Sequence, residues 1–152
     1  MARNCRFAVA VHVCTTLALH RDNPVTSDWI ANSVNTNPVV VRRILSALSK
    51  AGLVRSQRGI AGGSVLARDP EAITLKDLYL AVDEGEGLST HNTPPNPACP
   101  VGAHIVPVLV DVLDRAEQAL QHELQTIHLA QVVAEIRSRA GLAPDEPACK
   151  GG

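Results

Sequence analysis

The clearest pattern in this chain is a set of apolar residues spaced three and four apart between positions 38 and 50. Four of them recur at the spacing of one buried helical face: Val41, Ile44, Leu45 and Leu48. Asn37 is a good N-cap, Pro38 suits the first helical position, and Gly52 can end a helix in the left-handed conformation. The pattern predicts a helix over 38–50, and its other side presents basic and uncharged residues without an acid: Val39, Arg42, Arg43, Ser46 and Lys50.

A small hairpin is predicted directly after this helix. Two short apolar runs, Leu53-Val54 and Val65-Leu66, flank a polar and glycine-rich tip from Arg58 to Gly63. Glycines at such a tip, here Gly62 and Gly63, leave room for a close approach to a ligand. A basic helix followed by a basic, glycine-tipped hairpin is the pairing with which a winged helix grips duplex DNA.

Two more helices are predicted before the basic one. A mostly apolar stretch from Cys5 to Leu19 predicts the first, and Thr26 or Ser27 caps the second, which ends near position 34. Three residues of the second helix are expected to face inward: Trp29, Ile30 and Val34. A short helix, a tight turn and a basic second helix form a helix-turn-helix, whose second helix enters the major groove.

The second half of the chain predicts a short helix and then a long amphipathic one. Thr74 and Asp77 form a capping box that opens a helix ending near Val82. The long helix runs from about Val106 to Gln125, and Pro107 either starts it or kinks its first turn. One side is apolar and predicts pairing with a second subunit, with packing on its own domain as the alternative: Leu109, Val112, Leu113, Ala116, Leu120 and Leu124. The opposite side is expected to be polar: Asp111, Asp114, Glu117, Gln118 and Gln121.

The predicted fold is mainly α with a small two-stranded β-wing, a winged helix-turn-helix domain followed by a long C-terminal dimerisation helix. We divide the chain of 152 residues into a DNA-binding domain (1–83), a linker or effector loop (84–104), dimerisation helices (105–141) and a disordered tail (142–152). A final helix is expected from about Leu129 to Arg139, ending at Gly141.

Charge supports this division independently of the hydrophobic pattern. Residues 1–68 hold nine Lys and Arg against two Asp and Glu, whereas the remaining 84 residues hold five against thirteen. The net charge of −1 therefore conceals a basic half and an acidic half. Such asymmetry indicates a module that faces a polyanion, joined to a second part with another role.

Three stretches of the chain resemble one known family, the bacterial Rrf-type winged-helix regulators, which include the iron-sulfur cluster regulator and the cysteine-metabolism repressor. The stretches are VVVRRILSALSKAGLVRSQRGIAGGSVLAR at 39–68, ITLKDLYLAVD at 73–83 and NPACPVGAHIVPVLVDVLDRAEQALQHEL at 96–124. The Asn-Pro-x-Cys-Pro-Val-Gly segment is most similar to the YwnA-like branch, which has no cluster cysteines. The resemblance implies a homodimeric transcription factor, usually a repressor, that binds double-stranded DNA.

The resemblance also implies roles for individual residues. By position, Arg58 would lie in the minor groove, with Ser56 beside it. The part of the recognition helix that reads bases and contacts the DNA backbone would contain five residues: Asn37, Val39, Val40, Arg42 and Arg43. By symmetry, two recognition helices would occupy successive major grooves about 34 Å apart, so we expect a palindromic operator.

The cysteines depart from the cluster-binding members of the family. Those members carry three closely spaced cysteines where this chain has only Cys99, so we predict no iron-sulfur cluster and no other cofactor. His91, Cys99 and His104 are candidate ligands for a mixed metal site, although their spacing matches no standard zinc pattern. Cys99 precedes a helix, where a lowered pKa would favour oxidation, and is the candidate redox sensor. Cys5 and Cys14 are expected to be packed inside the first helix.

Several classes of function are excluded or kept as alternatives. No nucleophile with its base, no phosphate loop and no metal signature is recognisable, which argues against an enzyme. No apolar run reaches membrane-spanning length, and four cysteines without a signal peptide indicate a cytoplasmic protein. A protein-binding winged-helix adaptor and a metal or thiol sensor remain as alternatives. An unknown small effector, expected to act at the 84–104 loop, is also left open.

Overall fold

The computed structural model describes residues 3–21, 23–85, 87–144 and 146. Within these ranges the chain forms helices, a two-stranded sheet and a short 3-10 turn at Pro70–Ala72. The elements in order are α1 (Arg3–His20), α2 (Ser27–Val34), α3 (Pro38–Lys50), β1 (Val54–Gln57), β2 (Gly63–Leu66), α4 (Leu75–Val82), α5 (Pro100–Thr126) and α6 (Leu129–Ala140). The predicted fold class, mainly α-helical with a small wing, is confirmed. None of the helices in these ranges is both long enough and apolar enough to span a membrane.

Local capping explains most of the helix boundaries. The Thr26 hydroxyl accepts a hydrogen bond from the Trp29 amide at 3.2 Å and starts α2. The Asn37 side chain accepts from the Val39 amide at 2.9 Å, and α3 then occupies the predicted span. Thr74 and Asp77 form the predicted capping box of α4. Gly52 adopts a φ of 71° just after α3, as expected for a residue that ends a helix.

The core of the molecule combines residues from both ends of the chain. Helices α1, α2, α3 and α4 contribute fully buried side chains, among them Val13, Ile30, Ile44 and Leu78. Leu129, at the start of α6, is also fully buried in this core. Its amide donates to the Ile73 carbonyl oxygen at 2.8 Å, so α6 is tied to the winged-helix domain by backbone as well as side-chain contacts.

The β-wing is joined to the chain that precedes α2. Strands β1 and β2 pair antiparallel with Val54 opposite Leu66 and Gln57 opposite Gly63. On its other edge, Ser64 of β2 exchanges two backbone hydrogen bonds with Val25, at 2.8 and 3.0 Å. The wing is therefore anchored by backbone hydrogen bonds to the segment that precedes α2.

Helix α5 begins earlier than the sequence predicts. It starts at Pro100, not at about Val106, so the segment between α4 and α5 ends at Cys99 and His104 is helical. Pro100 occupies the first helical position, where its missing amide costs no hydrogen bond. Pro107, which was expected to start the helix or kink its first turn, lies inside it. The division into domains stays a prediction, although α6 packs with the winged-helix domain.

The end of the predicted disordered tail lies outside the described residues, at 145 and 147–152. The part that is described is held against α6. The Arg137 guanidinium donates through Nη1 to the carbonyl oxygens of Ala143 and Glu146, at 2.8 and 2.6 Å. The disordered tail from 142 to 152 stays a prediction, and these two hydrogen bonds are the contacts that its described part makes with α6.

Candidate nucleic-acid interface

Helix α3 presents a basic outer face because its apolar residues are used in the core. Val41, Ile44 and Leu48 are buried, as predicted. Five of the predicted DNA-binding residues are exposed on the remaining surface: Val39, Arg42, Arg43, Ser46 and Lys50. Val40 is only half-exposed, so less of its side chain is available to a ligand.

Arg42 is linked to the preceding helix. Its Nε donates to the Ser27 hydroxyl at 3.2 Å, and its Nη2 lies 3.3 Å from the Asp28 carboxylate. More than half of each charged side chain is exposed, and pairs of this kind contribute about 0.2 to 1 kcal/mol. The guanidinium can therefore leave Asp28 for a phosphate or a base at small cost.

The wing has exposed residues both in β1 and at its tip. Arg58 and Ser56 are both exposed. Ile60, between Gly59 and Ala61, is fully exposed, which is unusual for a large apolar side chain. Sequence reasoning missed Ile60, although an isoleucine within a polar turn was a readable signal. An apolar residue at this place suits the wedges that some proteins insert into the minor groove.

The two tip glycines are required by the fold itself. A Cβ on Gly63 would lie 2.6 Å from the Val25 carbonyl oxygen, and a Cβ on Gly62 would lie 2.5 Å from that of Gln57. Real side chains do not approach so closely. The structure thus gives both glycines a steric role in the wing, in addition to the predicted proximity to a ligand.

An open groove of about 590 Å³ separates α3 from the wing. Five of the predicted residues line it: Arg42, Ser46, Lys50, Ser56 and Gly63. The lining also includes polar residues that sequence reasoning did not select: Thr26, Ser27, Ser49, Gln57 and Ser64. Two cations and no acid among the lining residues make this groove a suitable surface for an anionic ligand. Asn37, Val39, Arg43 and Arg58 are not part of the lining.

The predicted apolar side of α5 is divided between two surroundings. Leu124 is buried, and Leu109 and Leu113 are half-buried against the rest of the chain. Val112, Ala116 and Leu120 are exposed, and exposed Val108 extends them into a row with four-residue spacing. The predicted polar side was partly wrong, because Glu117 faces α4 and contacts it. The Tyr79 hydroxyl donates to Glu117 Oε1 at 2.8 Å, and Gln121 Nε2 donates to the same oxygen at 3.2 Å.

Cys99 is the N-cap residue of α5 and is exposed. The Asn96 side chain accepts from the Ala98 amide at 2.9 Å, and the Asn96 carbonyl oxygen accepts from the Cys99 amide at 3.2 Å. A Cβ on Gly102 would collide with that carbonyl group, so this turn needs glycine there. The backbone amides of Gly102 and Val101, in the first turn of α5, lower the pKa of the Cys99 thiol, which is the direction predicted from its place before a helix.

The other described cysteines differ from each other. Cys14 is buried, as predicted, and burial raises the pKa of its thiol to about 12. Cys5 is exposed, so the prediction that it is packed was wrong. It lies near the start of α1, where the helix faces solvent.

This chain is similar to transcriptional regulators along most of its length. Residues 3–135 match the Rrf2 family, described as iron-dependent transcriptional regulators. YwnA of Bacillus subtilis (strain 168), whose name is that of an HTH-type transcriptional regulator, is 41% identical over 130 residues, which cover 86% of this chain and 96% of YwnA.

Solved structures share the fold. The crystal structure of a DNA-binding protein has a TM-score of 0.65 and 37% identity to this chain, and the match covers 84% of this chain and 97% of that protein. T. potens IscR has a TM-score of 0.67 at 22% identity, and the match covers 97% of this chain and 90% of IscR. At 22% identity, the similarity to T. potens IscR shows the fold alone.

The Rrf2 family is described as iron-dependent, which raises the question of whether residues of this chain could hold an iron site. An iron-sulfur cluster needs several thiolate or imidazole ligands in fixed places. In the described ranges no three His, Cys, Asp or Glu side chains converge on a position that could hold a metal ion. His91, Cys99 and His104 are all exposed and form no such group. These residues do not fit a cluster.

Proposed function

Because this chain belongs to the Rrf2 family of transcriptional regulators, we propose that it is a homodimeric repressor that binds a palindromic operator through α3 and the wing. Its relatives are regulators and not enzymes. The observation that carries the proposal is the groove between α3 and the wing, whose lining contains Arg42 and Lys50 and no acid.

DNA binding is tested by fluorescence anisotropy against the DNA upstream of the gene, with scrambled competitor and a salt series. We expect binding that resists the competitor and weakens steeply with salt, since each phosphate contact releases counterions. Binding that ignores sequence would contradict operator recognition. Absence of binding at low salt would favour the protein-binding adaptor.

The roles of the arginines are separated by substitution. If Arg42→Ala weakens all DNA equally, Arg42 contacts phosphate; if it relaxes preference at one base pair, it reads sequence at about 1 to 3 kcal/mol. Arg58→Ala should cause a large loss, greatest on sites with A·T-rich flanks, where a narrow minor groove attracts arginine. Arg139→Ala, at an exposed position of α6, is the matched control and should leave affinity unchanged.

The dimer is proposed to form through the exposed row on α5. Val108, Val112, Ala116 and Leu120 form one ridge, and apolar ridges of this kind pack against a second helix. Leu120→Glu should give a monomer in light scattering after gel filtration, with helix content unchanged. Gln118→Glu, on the opposite side, should remain dimeric. A dimeric Leu120→Glu variant would place the interface elsewhere.

A redox input at Cys99 is the second part of the proposal. The supporting observations are its exposure and the two amides that lower its thiol pKa. In a background without Cys5 and Cys149, a thiol oxidant should change the operator affinity of the protein. Cys99→Ser, which keeps a hydrogen-bond acceptor at the N-cap, should abolish the response. An unchanged response in that variant would remove Cys99 from the mechanism.

A further inference from the structure

A second cavity, of about 390 Å³, lies between α1, α2 and α6. It shares no lining residue with the basic groove. Val11, Leu19, Trp29 and Val132 give it an apolar wall, and none of its lining residues is Lys, Arg, Asp or Glu. Small-molecule sites are commonly concave, mainly apolar and supplied with a few polar groups. Its volume lies within the range of such sites.

Thr15, in the wall of this cavity, carries an unpaired hydroxyl. The residue is more than nine-tenths buried and belongs to the lining. Its hydroxyl oxygen is buried and has no hydrogen-bond partner. Buried hydroxyls are normally bonded, and leaving one unpaired costs free energy. A ligand that accepts a hydrogen bond would remove this cost.

Two histidines provide the polar edge. His20 Nδ1 lies 2.8 Å from the Thr16 carbonyl oxygen, which can only accept, so Nδ1 carries the hydrogen. In neutral His20 the other nitrogen, Nε2, is then an acceptor. His12 Nε2 lies 2.9 Å from the Ser33 hydroxyl, and burial lowers the pKa of His12, which favours its uncharged form. The cavity therefore offers hydrogen-bond donors and acceptors without a Lys, Arg, Asp or Glu.

We propose that this cavity binds a small uncharged molecule with an aromatic body and one hydroxyl group. The hydroxyl would accept from Thr15 and donate to His20, and the body would pack against the apolar wall. The rings of His20 and Trp29, whose centroids are 4.8 Å apart at 75°, form an aromatic corner that suits a planar ring. A carboxylate or ammonium group would lose its hydration here without finding a counter-ion.

The position of the cavity gives the ligand a regulatory role, which rests on the proposed function. Trp29 and Ser33 belong to α2, and the same helix holds Arg42 through Ser27 and Asp28. Displacement of α2 by a ligand would change how Arg42 is presented on α3. Linkage then requires that DNA and ligand alter each other's affinity by the same factor.

Trp29 is the single tryptophan of the chain and reports directly on the cavity. The probe is 4-tert-butylphenol, with tert-butylbenzene as the analogue without a hydroxyl and 4-tert-butylbenzoate as the charged analogue. Excited at long wavelength, Trp29 should be quenched saturably by the phenol. We expect about tenfold weaker binding of the hydrocarbon and no saturable binding of the benzoate. Absence of saturable quenching by the phenol, or equal binding of all three compounds, would overturn the proposal.

Two variants test the location. Thr15→Val should reduce the preference for the phenol over the hydrocarbon without lowering the melting temperature, because the hydroxyl it removes has no partner. Ala8→Phe, at the exposed edge of the cavity, should block the probe. Ala134→Phe, exposed on α6 outside the lining, is the matched control and should bind like the parent protein. Undiminished binding by Ala8→Phe would place the probe elsewhere and overturn the proposal.

The test of the ligand site does not depend on the test of DNA binding. Quenching is recorded without DNA, so a protein that binds the probe and no DNA would refute the proposed function and leave the ligand site standing. With saturating phenol, operator affinity should change at least about threefold in the parent protein and not in Ala8→Phe. An unchanged affinity would overturn the regulatory role.

Discussion

Replacing Gly63 with alanine tests whether this glycine acts through the fold or through DNA. Its added Cβ would lie 2.6 Å from the Val25 carbonyl oxygen and 2.8 Å from the Val25 nitrogen, and backbone atoms cannot swing aside. The wing must therefore separate from Val25, which breaks the two hydrogen bonds between Val25 and Ser64. At about 0.5 to 1.5 kcal/mol each, the bonds account for about 1 to 3 kcal/mol.

Alanine recovers part of this loss, since glycine in a strand is less stable than alanine by roughly 0.5 to 1 kcal/mol. The difference between the two ranges is about 0 to 2.5 kcal/mol, and we expect a net destabilisation of Gly63→Ala near its centre, about 1 kcal/mol. In a domain of this size that lowers the melting temperature by about 2 to 4 °C. Operator affinity should fall as well, because the displaced wing no longer faces the groove beside α3.

The assay is thermal unfolding followed by circular dichroism, together with anisotropy on the operator. Ala61→Ser, in an exposed position of the same tip, is the control and should leave the melting temperature unchanged. A lost DNA affinity with an unchanged melting temperature would refute the steric account and give Gly63 a direct role at DNA. Unchanged values of both quantities would mean that Val25 does not hold the wing.

Three further predictions concern charge, thiol chemistry and the core. Asp28→Asn should raise operator affinity about two- to fivefold in an anisotropy titration, because it releases Arg42 from an ion pair that contributes less than about 1 kcal/mol. Weaker binding by this variant would show that the ion pair positions Arg42 for DNA. Because the pKa of Cys99 is lowered in the folded protein, its alkylation by iodoacetamide should reach half-maximal rate at a lower pH than in the denaturant-unfolded chain. Buried Cys14 should react only after unfolding. If the pH curves of Cys99 in the folded and unfolded protein coincide, the N-cap geometry is contradicted. Leu129→Ala should destabilise the winged-helix domain by about 2 to 5 kcal/mol in urea unfolding, and a change below about 1 kcal/mol would mean that α6 is not part of its core.

The sequence predicts the elements whose signals are local. Asn37 and Pro38 mark the start of α3, Thr74 and Asp77 that of α4, and Gly52 an end, because capping depends on neighbours within a few residues. The basic outer face of α3 follows from the spacing of its apolar residues for the same reason.

What the sequence does not predict depends on contacts between distant residues. Glu117 has the helical position of a solvent-facing residue, but the Tyr79 hydroxyl meets it from α4. No local pattern in the sequence links Asp28 to Arg42. Pro107 was predicted to start or kink α5, whereas the turn at Asn96 precedes a helix that begins at Pro100. The cavity beside Trp29 arises where three helices meet, which no single segment encodes.

The burial of Leu129 has a consequence for how the chain is made. Val13 and Leu129 occupy one core although about 115 residues separate them. Proteins are synthesised from the N-terminus at about 5 to 20 residues per second, and contacts between distant residues form slowly. The helix-turn-helix therefore emerges from the ribosome several seconds before α6 can complete its core. A chain that stops before α6 would lack Leu129 and would be released with that core open.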